Sequence, residues 1–124
     1  MDFYAKISQI TQRDSRYKAD AYEFVMQALW LTQKKLNRTG HVSGPELLSG
    51  IREFGLEQYG PMARAVFQHW GISNTGDFGR VVFNMISDGV MGKSESDSLD
   101  DFKDVYDFKE ALDIFKPVKN QQGR

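Results

Sequence analysis

The feature that most constrains the fold is one long segment, residues 17–36, in which apolar residues recur at helical spacing. On a helix that turns about 100° per residue, these residues form two neighbouring stripes that together span roughly 260°. The first stripe consists of Ala21, Val25, Ala28, Leu29, Thr32 and Leu36, and the second of Tyr22, Met26 and Trp30. A surface helix needs a much narrower apolar face. We therefore predict that this helix is the most buried element of the fold.

The composition is that of a single compact domain, residues 1–124, and it excludes several classes of protein. The chain is 40% hydrophobic and contains nine Phe, five Tyr and two Trp, which is enough for one core. It has no cysteine, so disulfides, thiol catalysis and cysteine-based zinc sites are excluded. The 16 basic residues are balanced by 17 acidic ones, so no overall charge attracts nucleic acid or an anionic membrane. The N-terminus lacks the pattern of a signal peptide, and no apolar run approaches the length of a membrane span. We expect a cytoplasmic protein.

Shorter amphipathic helices are predicted on both sides of the long one. Phe3, Ile7 and Ile10 recur at helical spacing near the N-terminus. Ser43 and Glu46 have the spacing of a capping box, which begins a helix that runs to about residue 59. Three more helices are predicted: one from Pro61 to the stop at Gly71, one from an N-cap at Thr75 to Asp88, and one from a capping box at Asp107 and Glu110 to Phe115, before Pro117.

The stretch from 95 to 107 combines six acidic residues with apolar ones. Leu99, Phe102 and Tyr106 favour an ordered segment packed on the core, as either a strand over 102–106 or a helical turn. We therefore predict a mainly α fold of five or six short helices, with a small C-terminal hairpin around 90–106 as an addition that would make it resemble a winged helix. Residues 117–124 are expected to form a frayed tail.

Several motifs lie in order along the middle of the chain. They are His-Val-Ser-Gly-x-Glu-Leu-Leu at 41–48, Trp-Gly-Ile-x-x-Thr-x-Asp-Phe-Gly at 70–79 and Val-Tyr-Asp-Phe at 105–108. Together they resemble a conserved bacterial family of planctomycetes and verrucomicrobia that has no assigned role. The resemblance covers about residues 17–115. It implies a cytosolic bacterial protein and brings no catalytic or ligand-binding residues with it.

The leading functional hypothesis is a non-catalytic module that binds protein. The second apolar stripe (Tyr22, Met26 and Trp30) adds more apolar surface than a small domain usually covers. Aromatic and methionine side chains are enriched in interfaces, so we expect a homodimer or a protein partner. We expect no cofactor, and we assign no catalytic or metal-binding residues.

Two other functions remain open from the sequence. The helices on either side of Gly71 are in the order of a helix-turn-helix, which predicts a winged-helix-like nucleic-acid binder. The predicted recognition helix, 75–88, contains two acids and one Arg, which opposes phosphate binding. The alternative of a small enzyme requires the fold to assemble a polar site from distant residues, namely His41, Arg52, Arg64, His69 and Asp77.

Overall fold

The computed structural model describes residues 2–92 and 98–113, and within these ranges the chain is helical and contains no strand. This confirms the predicted mainly α fold. The α-helices are α1 (Phe3–Arg13), α2 (Ala19–Lys35), α3 (Gly44–Tyr59), α4 (Ala63–His69), α5 (Thr75–Ser87) and α6 (Phe108–Ala111), with 3-10 turns at Gly60–Met62 and Leu99–Phe102.

Helix α2 is the centre of the fold, as its wide apolar arc predicts. It contacts α1, α3 and α5. Seven of its 17 residues are buried, compared with six of 13 on α5 and five of 16 on α3, so α2 buries the most residues while α5 buries the larger fraction of its length. The ring of Phe24 lies in the middle of the core, with its centroid 5.0 Å from that of Phe54, 5.3 Å from Phe67, 5.3 Å from Trp70 and 6.5 Å from Phe78. Phe24 therefore contacts one aromatic residue on each of α3, α4 and α5, and it also contacts Trp70, which directly follows α4.

The start of α3 is fixed by the predicted capping box. The Ser43 hydroxyl accepts a hydrogen bond from the Glu46 amide at 3.2 Å, and the Glu46 carboxylate accepts one from the Ser43 amide at 2.9 Å. Two amides at the helix N-terminus are satisfied in this way without help from the rest of the fold. The helix ends at Tyr59, where Gly60 adopts a φ of +52°. Both predicted boundaries of this helix are confirmed.

The predicted N-cap of α5 is wrong by one residue. Asn74 is the cap, and its side-chain oxygen accepts a hydrogen bond from the Asp77 amide at 3.0 Å. Thr75 is instead the first residue of the helix and is fully buried. Its hydroxyl donates to the Phe102 carbonyl at 2.5 Å and accepts from the Val105 amide at 3.1 Å. Thr75 therefore holds the acidic segment against α5.

Phe102 anchors the acidic segment in the core. Its side chain lies between Gly79 of α5 and Gly44 of α3: a Cβ atom at Gly79 would lie 2.7 Å from the Phe102 Cβ, and one at Gly44 would lie 3.2 Å from the Phe102 Cε2. Tyr106 adds a second attachment, because its hydroxyl donates to the Leu48 carbonyl at 2.6 Å. The segment thus reaches the core at the two aromatic positions that the sequence indicated.

The structure settles part of what the sequence left open in this segment. Leu99–Phe102 is a 3-10 turn, so the helical-turn alternative holds there. Leu99 was expected in the core but is 50% exposed, because the turn directs Phe102 inward instead. The last helix is shorter than predicted, because it ends at Ala111 with Leu112 as its C-cap instead of continuing to Phe115. The predicted hairpin falls partly on 93–97 and the predicted tail falls on 117–124, and these residues lie outside the described part of the chain.

We predict that Phe24→Ala lowers the free energy of unfolding by about 3–5 kcal/mol, because it removes a buried ring on which several helices converge. Urea unfolding followed by circular dichroism measures this difference. Met62→Ala is the control, since Met62 is 58% exposed on the 3-10 turn before α4. A loss below about 1 kcal/mol for Phe24→Ala would show that α2 is not the centre of the core.

Thr75→Val should destabilise the protein by about 1–3 kcal/mol, because the Phe102 carbonyl and the Val105 amide both lose their partner. Thr75→Ser is the matched control that keeps the hydroxyl. Urea unfolding gives the stabilities, and amide exchange at Val105 gives the local effect. If the valine variant is as stable as the serine variant, the hydroxyl does not hold this segment.

Candidate binding surfaces

The second apolar stripe of α2 is mostly buried inside the protein. Tyr22 and Met26 belong to the core, and only Trp30 is exposed, at 59%. The prediction that Tyr22 and Met26 belong to an interaction surface is therefore wrong, and for Trp30 it stays a prediction. The reason is that α1 packs on both α2 and α5, and that Asn84 of α5 donates a hydrogen bond to the Tyr22 hydroxyl at 3.0 Å.

What remains exposed on α2 is a patch near its C-terminal end. Trp30 and Leu31 are adjacent and 59% and 45% exposed. Leu31 borders a shallow groove between α2 and α3 with a volume of 160 Å³. The other lining residues of this groove are Thr32, Lys35, Gly50, Glu53, Phe54 and Glu57.

The floor of the groove is a close contact between two helices. A Cβ atom at Gly50 would overlap the Thr32 hydroxyl, so α2 and α3 approach here only because residue 50 is glycine. Above this contact the Lys35 ammonium lies 2.6 Å from the Glu53 carboxylate. The groove therefore has a tightly packed floor, a half-buried aromatic wall at Phe54 and a charged rim.

Arg52 and Asp77, two of the five polar residues of the predicted enzymatic site, hold parts of the fold together. Arg52 on α3 donates from its Nε to the Ala111 carbonyl at 2.8 Å, which ties α6 to α3. Asp77 accepts hydrogen bonds from the Tyr17 hydroxyl at 2.7 Å and the Ser73 amide at 2.8 Å, and lies 3.1 Å from the Arg80 guanidinium. Burial, with the hydrogen bond to Asp77, raises the pKa of Tyr17 to about 12.

The other three polar residues lie in different places. Arg64 and His69 are exposed on α4, and His41 is exposed in the loop between α2 and α3. The contacts of Arg52 and Asp77 described above go to Ala111, Tyr17, Ser73 and Arg80. In 2–92 and 98–113, no group of three or more His, Cys, Asp or Glu residues has the arrangement of a metal site.

The helix-turn-helix order is present, but its charges do not favour a nucleic acid. Helices α4 and α5 are separated by a turn in which Gly71 has a φ of +92°. Arg80 is the basic residue of α5, and its guanidinium is paired with Asp77. The neighbouring 3-10 turn contributes Asp100 and Asp101.

A larger apolar cleft, of 330 Å³, lies on the opposite flank of α2 from the groove. Its walls come from α2, α3, α5 and the 3-10 turn at 99–102, and the loop between α2 and α3 forms part of its rim. The lining residues are Leu29, Gln33, Gly40, His41, Val42, Gly44, Leu47, Val82, Ile86, Met91, Gly92 and Phe102. Sequence periodicity missed this cleft, because Leu47 and Val82 have the spacing of core residues whether or not a cavity lies beside them.

The loop at the rim of the cleft is held at both ends. The Gln33 side-chain amide donates to the Gly40 carbonyl at 3.0 Å, and the Arg38 guanidinium lies 2.6 Å from the Glu46 carboxylate. The Arg38 hydrogen bond, together with the Ser43 amide, lowers the pKa of Glu46 to about 2. Glu46 therefore caps α3 and fixes the loop at the same time.

No family model matches this chain, and neither a curated protein nor a solved structure matches it at a significant level. Among the described residues, no helix has both the length and the apolar character needed to cross a membrane.

We predict that the contribution of Glu46 to stability depends on pH in a defined direction. Its pKa is lower in the folded protein than the ordinary value of 4.5, so the ionised carboxylate stabilises the fold. This contribution is complete above about pH 6 and is lost as the pH falls through 4.5 towards 2. The difference in unfolding free energy between wild type and Glu46→Gln should therefore be constant near neutral pH and shrink in acid.

Urea unfolding at a series of pH values from 7 to about 3 measures this difference. Arg38→Met should weaken the pH dependence, because it removes the main cause of the lowered pKa. A difference between wild type and Glu46→Gln that stays constant down to pH 3 contradicts the assignment.

Proposed function

We propose that the protein is a non-catalytic protein-binding module whose contact surface is centred on Trp30 of α2. The observation that carries the proposal is the 59% exposure of this indole on an ordered helix. Tryptophan is enriched in interfaces and among the residues that dominate binding energy. At Trp30 the large apolar surface is available to a partner.

The surroundings of Trp30 support the same function. Leu31 is exposed beside it and leads into the groove between α2 and α3. The groove has apolar walls at Leu31 and Phe54 and a rim that carries Lys35 and Glu53. An apolar centre within a polar rim is the usual anatomy of a protein interface.

The enzymatic alternative receives less support from the candidate residues. Arg52 and Asp77 make contacts that hold helices and turns together, and His41 is the member of the five that lines the apolar cleft. The nucleic-acid alternative would need unpaired cations on α5, whereas Arg80 is paired with Asp77.

We infer that the partner includes a second copy of the chain. The groove has Lys35 on the α2 side and Glu53 and Glu57 on the α3 side, and the Lys35–Glu53 ion pair of each copy would have to be shared with, or exchanged for, Glu57 of the other. A two-fold axis through such a groove places the basic side of one copy opposite the acidic side of the other. As the family resemblance implies, we place this dimer in the cytosol of a bacterium.

Trp30→Glu should prevent self-association while leaving the helical content unchanged, because it puts a charge at the centre of the surface but outside the core. Sedimentation velocity between about 1 and 100 µM measures the oligomeric state, and circular dichroism measures helicity. Met62→Glu is the matched control, since Met62 has the same exposure but lies on another element. We expect wild type and Met62→Glu to dimerise and Trp30→Glu to remain monomeric.

A photo-crosslinking amino acid at position 30, and at position 62 as the control, extends the test to partners inside cells. A discrete adduct from position 30 alone supports a binding surface there. A monomer at every concentration, together with equal adducts from both positions or none from either, contradicts the proposed function.

A further inference from the structure

The cleft between α2, α3 and α5 opens to the surface and is large enough to hold a small molecule. At 330 Å³, the cleft is within the range of about 300–1,000 Å³ that is typical of ligand pockets. It lies on the flank of α2 that carries Leu29 and Gln33, away from the groove at Leu31.

The walls of the cleft are held in place by the core. Val42, Leu47 and Val82 are buried residues, so their side chains have fixed positions. Phe102 closes one side, and it is itself wedged between Gly44 and Gly79. The cleft is therefore preformed, and a ligand that enters it does not have to order its walls.

The chemistry of the lining indicates the class of ligand. The described lining contains no Asp, Glu, Lys or Arg, and its one titratable residue is His41, which is exposed at the rim. A charged group placed against Leu47 and Val82 would lose its hydration without an ionic partner among these lining residues. Gln33 uses its side-chain NH₂ group on the Gly40 carbonyl, so its carboxamide oxygen supplies an acceptor at the rim.

We propose that this cleft binds a small, uncharged aliphatic molecule that has one hydroxyl group. The aliphatic part packs against Leu47, Val82 and Ile86, and the hydroxyl donates to the Gln33 carboxamide oxygen. This cleft is separate from the surface around Trp30. The proposal therefore adds a ligand-binding site to the proposed protein interface.

The test is a titration of the full chain with 1-octanol, followed through the methyl signals of Leu47, Val82 and Ile86 by NMR. We expect saturable shifts at these methyls with a dissociation constant of about 1 mM or tighter, as suits a ligand of this size. Octanoate, which has the same chain length and a charge at neutral pH, should bind at least tenfold more weakly. Equal binding of the two compounds overturns the uncharged class.

Ile86→Phe fills the cleft from α5 and should weaken 1-octanol binding at least tenfold. Leu99→Phe is the matched control, because it adds similar bulk at an exposed position that does not line the cleft. Leu29→Phe fills the cleft from α2. It replaces Ile86→Phe in the experiment if thermal melting shows that Ile86→Phe does not fold.

The site is overturned if 1-octanol shifts the exposed residues Trp30 and Leu99 as much as the cleft methyls, or if a folded cleft-filling variant binds as well as wild type. Trp30→Glu should bind 1-octanol unchanged. Failure of the dimer experiment and failure of the ligand experiment are therefore distinguishable.

Discussion

The contact of Phe24 with the rings of its neighbours is the interaction on which the remaining structure depends. Helices α4 and α6 have seven and four residues, too few to be stable as isolated helices in water. They are stable here because α4 buries Phe67 against Phe24, and α6 buries Phe108 against Phe67 in turn. The wide apolar arc of α2 is therefore a requirement of the fold: a narrower one would leave one of the packed helices without a partner.

The features that the sequence predicted well are those decided by neighbouring residues. Ser43 and Glu46 are three positions apart, and both hydrogen bonds of the capping box form between them. The cap of α5 was misplaced for the opposite reason. Asn74 and Thr75 are both good N-cap residues, and the choice depends on the bond between Thr75 and Phe102, which lies 27 residues further along the chain. Local pattern contains no information about that bond.

The candidate binding surface shows the same difference between features that are set by neighbouring residues and features that are set by distant ones. Helical periodicity shows how far the apolar residues extend around α2, but it does not show which of them other helices cover. In the structure α1 packs on both α2 and α5, and Asn84 of α5 bonds to the Tyr22 hydroxyl. Tyr22 and Met26 are buried in this arrangement, and Trp30 stays exposed. Likewise, Arg52 reads from the sequence as an unassigned cation, and its bond to the Ala111 carbonyl is a property of the tertiary structure.

The exposure of Trp30 is not explained by folding. Complete burial of a large apolar side chain contributes about 1.5–3 kcal/mol, and a side chain that stays 59% exposed gains only part of this. The core of α2 is complete without it, because Phe24, Val25 and Ala28 already face the other helices. Trp30 therefore retains apolar surface that can still be removed from water. That unused contribution is available to a binding event, which is the physical basis of the proposed protein interface at Trp30.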